Sequence, residues 1–126
     1  MTSSEIYDAL KSWIEIHGFD NGYRIQKRRW SDGDPQDRFI VIQSNNGGVT
    51  EEALIRDSFR FLFVSGCSDP DVASVEDLAS KVRQTMIEDY SIASIFSMQP
   101  FGGIPNYSTA EKRIIFEMNF NALIAN

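Results

Sequence analysis

The run Ser58-Phe59-Arg60-Phe61-Leu62-Phe63-Val64 constrains this chain more than any other stretch. Side chains alternate across a β-strand, so the run places Phe59, Phe61 and Phe63 on one face and Arg60, Leu62 and Val64 on the other. Burying one such phenylalanine is worth roughly 1.5–3 kcal/mol, and a lone strand can bury none of them. The run therefore demands a sheet with a second layer packed on its phenylalanine face. Arg113–Asn121 repeats the pattern, with Ile114, Phe116, Met118 and Phe120 toward the core and Arg113, Glu117, Asn119 and Asn121 facing away. Phe39-Ile40-Val41-Ile42 is apolar on both faces and reads as an interior strand. Tyr23–Trp30 alternates weakly and suits a sheet edge, and Ile95–Met98 reads as extended.

Two helical stripes supply the covering layer. Ile6, Leu10, Trp13, Ile14 and His17 recur at helical spacing behind a Thr2-x-x-Glu5 capping box, and Gly18 fits the left-handed position beyond the helix end. Val75, Leu78, Ala79, Val82 and Met86 form the second stripe, ending near Asp89 or Tyr90. Asp69-Pro70 offers a capping carboxylate before a proline in the first turn. Loops are expected over 43–54 and 99–112, because Gly47-Gly48 and Pro100-Phe101-Gly102-Gly103-Ile104-Pro105 read as breakers. The order is helix, three strands, helix, two strands. Short connections favour antiparallel neighbours. The expected fold is a single α+β domain over residues 1–126. It is a two-layer sandwich in which a mostly antiparallel sheet of about 4–5 strands carries both helices on one face.

Charge and cysteine usage narrow the function. The chain has 12 basic and 18 acidic residues, a formal net charge of −6, which argues against a dedicated nucleic-acid binder. Its single cysteine, Cys67, permits no internal disulfide and fits a reducing cytoplasm. The opening residues lack the basic and apolar regions of a signal peptide, and no apolar run is long enough to cross a bilayer.

Chemistry-bearing groups are sparse. His17 is the one histidine, and with Cys67 it makes neither a zinc cluster nor an evident catalytic pair. The acidic pairs Asp32/Asp34, Glu51/Glu52, Asp69/Asp71, Glu76/Asp77 and Glu88/Asp89 fall in loops and helix ends without EF-hand spacing. Neither glycine pair belongs to a phosphate-binding motif, and no nucleophile elbow occurs. No catalytic residue, cofactor or metal is expected.

The sequence points instead to contact surfaces. Arg24, Lys27, Arg28 and Arg29 form a basic run beside Tyr23 and Trp30. Strand alternation sends Arg24 and Arg28 one way and Lys27 and Arg29 the other. That division favours a charged edge or subunit contact over a nucleic-acid stack. With both helices on one face, the other would carry an open apolar strip including Leu62, Val64 and Ile115, rimmed by Arg24, Arg28, Arg60, Glu117 and Asn119. Arg24, Lys27, Arg28, Arg29, Arg60, Leu62, Glu117 and Asn119 are thus the candidate contact residues. One function consistent with this is a small cytosolic protein–protein interaction module without catalytic activity.

In order and pattern the chain also resembles the tail terminator proteins of long-tailed bacteriophages and prophages. The likeness runs from the helix around Ile6–Ile16 through Arg38-Phe39-Ile40-Val41-Ile42-Gln43 and the phenylalanine strand at 58–64. It continues through Asp77-Leu78-Ala79 with Val82, the Gly/Pro loop at 100–105, and the strand Arg113–Phe120. The resemblance implies a non-enzymatic virion assembly protein, acting in the host cytoplasm and then resident in the tail. Such proteins form a ring, usually a hexamer, that caps the tail tube, ends its polymerisation and offers a head-joining surface. The implied partners are other copies of the chain, the tail tube protein and a head-completion or connector protein. DNA would pass through an acidic lumen without specific binding, and no membrane is involved.

Overall fold

The computed structural model describes residues 1–50, 54–92 and 95–125, with side chains described outside 46–50 and 54–55. Helix α1 spans Ser3–Ile16. Its N-terminus is closed by the expected capping box, with Glu5 N donating to Thr2 Oγ1 at 3.2 Å and Thr2 N to Glu5 Oε1 at 3.1 Å. Gly18 takes φ +72° beyond the other end, a conformation cheap only for glycine. The strands β1 (Arg24–Lys27), β2 (Phe39–Thr50) and β3 (Leu54–Val64) follow, then α2 (Val72–Glu88), β4 (Ile95–Phe101), β5 (Asn106–Ser108) and β6 (Ile114–Ala125).

The six strands form one sheet in the order β1-β2-β3-β6-β4, with β5 also paired to β6. The fold is α+β, and the sheet is antiparallel except at β1, which pairs parallel to β2. That exception corrects the expectation drawn from short connections. To re-enter parallel, the chain between Lys27 and Phe39 must travel back along the sheet, so residues 28–38 become a crossover strap instead of a tight turn. Strand β1 is also shorter than the run Tyr23–Trp30, because Arg28 adopts φ +71° and turns the chain out. The loop expected over 43–54 is mostly paired strand. Strands β2 and β3 continue as a hairpin through Thr50↔Ile55, with a register irregularity between Ser44 and Gly48. Its residues 51–53 lie outside the described residues. Likewise Pro100 and Phe101 finish β4, and part of the long loop 99–112 supplies β5. Helix α2 is capped by Asp71, whose carboxylate accepts from Ser74 N at 3.3 Å. Asp69 is drawn away from that role by Arg38.

The main core lies between the helices and one sheet face, and unites Leu10, Trp13 and Ile14 of α1, Val75, Ala79, Val82 and Met86 of α2, and Phe59, Phe61 and Phe63. Trp13 Nε1 donates to Asp89 O at 3.0 Å and joins the two helices. On the opposite face, Phe39, Val41, Leu62, Val64 and Ile115 form a second buried cluster under Trp30. The open apolar strip expected on this face is therefore closed by the chain's own strap.

Arg113 holds the strap down, and it is fully buried, contrary to its expected outward exposure. Its guanidinium donates to Asp37 O at 2.6 Å, Ser65 O at 2.9 Å and Asp34 O at 2.8 Å, and pairs with Asp32 at 2.9 Å. Trp30 and Phe39 flank it with ring centroids 5.9 and 5.2 Å from the guanidinium carbon. Gln26 fixes the near end of the strap by exchanging two 2.8 Å hydrogen bonds with the backbone of Ser31.

Candidate interaction surface

Two places concentrate polar chemistry, and in both the polar side chains pair with one another. The first is a cleft of about 740 Å³ between the strap and the start of α2, lined by Tyr23, Arg24, Arg38, Cys67 and Asp69 among others. Arg38 grips Asp69 with both ends of its fork, Nε to Oδ2 at 2.8 Å and Nη2 to Oδ1 at 2.9 Å. Asp69 also accepts from Gly66 N and Asp71 N at 2.9 Å each. These bonds, that from Arg38 foremost, hold the Asp69 carboxyl far below the usual carboxylate range. Burial pushes the neighbouring Tyr23 hydroxyl up. Asp37, on the other wall, pairs with Arg24 at 3.1 Å. The cleft's charged groups thus satisfy one another and brace β2 against α2. Among the described residues, no group of three or more His, Cys, Asp or Glu side chains is placed to hold a metal ion. His17 sits 3.5 Å from Asp89 at the junction of the two helices and shares no site with Cys67.

The second place is the half of the back face that the strap leaves open. There, in-register pairing lines up Gln43, Arg60, Asn119 and Phe101 across β2, β3, β6 and β4. Arg60 Nε donates to Gln43 Oε1 at 2.7 Å, and its Nη1 lies 3.7 Å from Glu117 Oε1. Asn119 Nδ2 donates to Glu117 Oε2 at 3.0 Å, and Asn45 Nδ2 donates to Asn119 Oδ1 at 3.1 Å. This polar ladder is bordered by Phe101 and Tyr107, which keep 43% and 45% of their surface exposed. Burial, then the charge of Glu117, raises the Tyr107 hydroxyl above its ordinary value. A fixed polar lattice with aromatic rims is suited to docking another protein.

The candidate contact residues separate into two groups. Arg60, Glu117 and Asn119 come together in the ladder, whereas Leu62 is buried beneath the strap. Arg24, Lys27, Arg28 and Arg29 lie at the β1 edge. Their alternation is broken by the positive φ of Arg28, so Lys27 and Arg28 both turn onto α1. Lys27 pairs with Asp8, while Arg28 reaches Ser4 Oγ at 3.1 Å and lies 5.0 Å from the Tyr7 ring centroid. Arg24 remains on the back face and largely exposed, and Arg29 is exposed. The sequence reading missed Phe101 and Tyr107, both assigned to a loop. Two aromatics embedded in an otherwise polar Gly/Pro segment were the available signal.

No helix among the described residues is long and apolar enough to cross a membrane. No curated protein matches the sequence. The family described as phage tail termination protein matches residues 3–126, nearly every residue of both layers and the strap between them. The chain belongs to that phage tail termination protein family.

Proposed function

We propose that this tail termination protein acts as a ring, of six copies, seated on the end of a completed tail tube. The ring blocks addition of further tube subunits, and its far side receives the head-completion or connector protein. The protein assembles in the host cytoplasm and stays in the virion tail, and the genome passes through the ring without being gripped. The family match over residues 3–126 is the observation that carries this reading. The net charge of −6 per copy supports it, since an acidic ring repels DNA phosphates. So do the polar side chains of both sites described above, which are already paired with one another.

Electron microscopy of lysates from a phage carrying an early stop codon in this gene tests the proposal. Tubes longer than those of the parent phage and lacking heads are expected, with normal length restored when the protein is supplied from a plasmid. Normal-length tails joined to heads in the mutant lysate would overturn it.

A further inference from the structure

The sheet ends in two unlike edges, and a single row of paired residues connects them. Arg24 lies opposite Phe39, Phe39 opposite Val64, Val64 opposite Ile115, and Ile115 opposite Tyr107. Directly paired residues project on the same face of a sheet. Arg24 and Tyr107 therefore mark the two ends of one row on the back face. Arg24, paired with Asp37 yet with its side chain 68% exposed, stands at the start of the β1 edge, and exposed Arg29 lies just beyond the other end of the strand. Tyr107 and Phe101, both close to half exposed, stand on the opposite edge. Arginine and aromatic side chains dominate the energetics of protein interfaces, and a guanidinium over an aromatic face is a favourable pair.

We propose that the β1 edge of one copy docks on the β4–β5 edge of a second copy, bringing Arg24 and Arg29 against Tyr107 and Phe101. This deepens the ring reading and rests on it. The chemistry selects head-to-tail contact over a two-fold one, because two β1 edges brought together oppose arginine to arginine. Unlike surfaces on opposite edges leave a free edge after every addition, and growth stops only when the copies close on themselves. Each edge also resists plain strand addition. Arg28 turns β1 out after four residues, while β4 carries a register irregularity between Ile95 and Ser97 and a proline at position 100. Side chains thus carry the contact.

Two variants test this by light scattering after size exclusion. One has its basic edge disabled (Arg24→Ala with Arg29→Glu), and the other its aromatic edge disabled (Phe101→Ala with Tyr107→Ala). The wild type is expected to be oligomeric and each variant monomeric. Mixing the variants should give a dimer and nothing larger, since only one intact pair of edges remains. If either variant keeps the wild-type mass, or the mixture stays monomeric, the edge assignment falls while the ring reading stands. A wild type that is monomeric at every soluble concentration also overturns the edge contact, whereas the ring reading falls only with the tail morphology of the stop-codon phage. Should a variant lose the wild-type far-UV spectrum, cross-linking decides instead. In a Cys67→Ser chain carrying Ser31→Cys and Ser108→Cys, exposed positions beside the two edges that leave all four contact side chains in place, a short bismaleimide should produce a ladder of covalent oligomers. Monomer alone overturns the contact.

Discussion

Arg113 carries more of this fold than its single position suggests. Its buried fork serves two strap carbonyls, one strap carboxylate and the end of β3. Arg113→Ala is expected to cost roughly 3–5 kcal/mol in urea unfolding, because it strands these acceptors under the strap. Arg113→Lys should recover less than half of that, since one ammonium cannot span acceptors set out for a planar fork. The side chain is not perfectly served. Its Nε and Trp30 Nε1 are both buried without a hydrogen-bond partner among the described residues. Asp69 gives a pH signature at the same end of the sheet. Its folded pKa is depressed by Arg38, so its contribution is complete above the unfolded value of about 3.9 and is lost as pH falls through the folded one. Asp69→Asn should therefore cost roughly 2–3 kcal/mol at pH 7, and the gap to wild type should narrow measurably by pH 3.

Elements whose signals are local could be read directly from the sequence. The alternation at Phe59, Phe61 and Phe63 describes β3, and the stripes and capping box describe α1 and α2, because neighbours a few residues apart settle each one. What escaped depends on distant partners. The parallel β1–β2 pair exists because residues 28–38 can lie over Phe39, Val41 and Leu62, and the residue that secures them is 76 positions away from Asp37. A charged residue at a strand start is ordinarily exposed, so nothing near Arg113 announces its burial. Asp69 looked like a cap for the same reason, since Arg38 is remote in sequence. Of the surface, the β1 edge and the Arg60–Glu117–Asn119 group were legible, whereas Phe101 and Tyr107 were hidden by the glycines and prolines around them. The turn entering β6 offers a test at this scale. Lys112 is exposed and holds φ +63°, where a side chain is strained. Lys112→Gly is expected to raise stability by about 0.5–1 kcal/mol, read as a higher midpoint in urea.

Across the whole molecule, protection follows the strand order. Strands β3 and β6 each have neighbours on both sides, while β1 is a four-residue edge. Hydrogen exchange should be slowest in β3 and the β3-facing amides of β6, and fastest in β1 and the strap. Equal protection of β1 and β3 would contradict this ordering. Strand β6 is central in the sheet yet occupies residues 114–125, so it joins β3 to β4 only after the other elements have been made. A ribosome must finish that segment before β3 gains its second partner and before Arg113 can secure the strap. Chains broken off by a premature stop ahead of residue 114 therefore keep both Phe59 and Leu62 insufficiently covered and remain substrates for proteases.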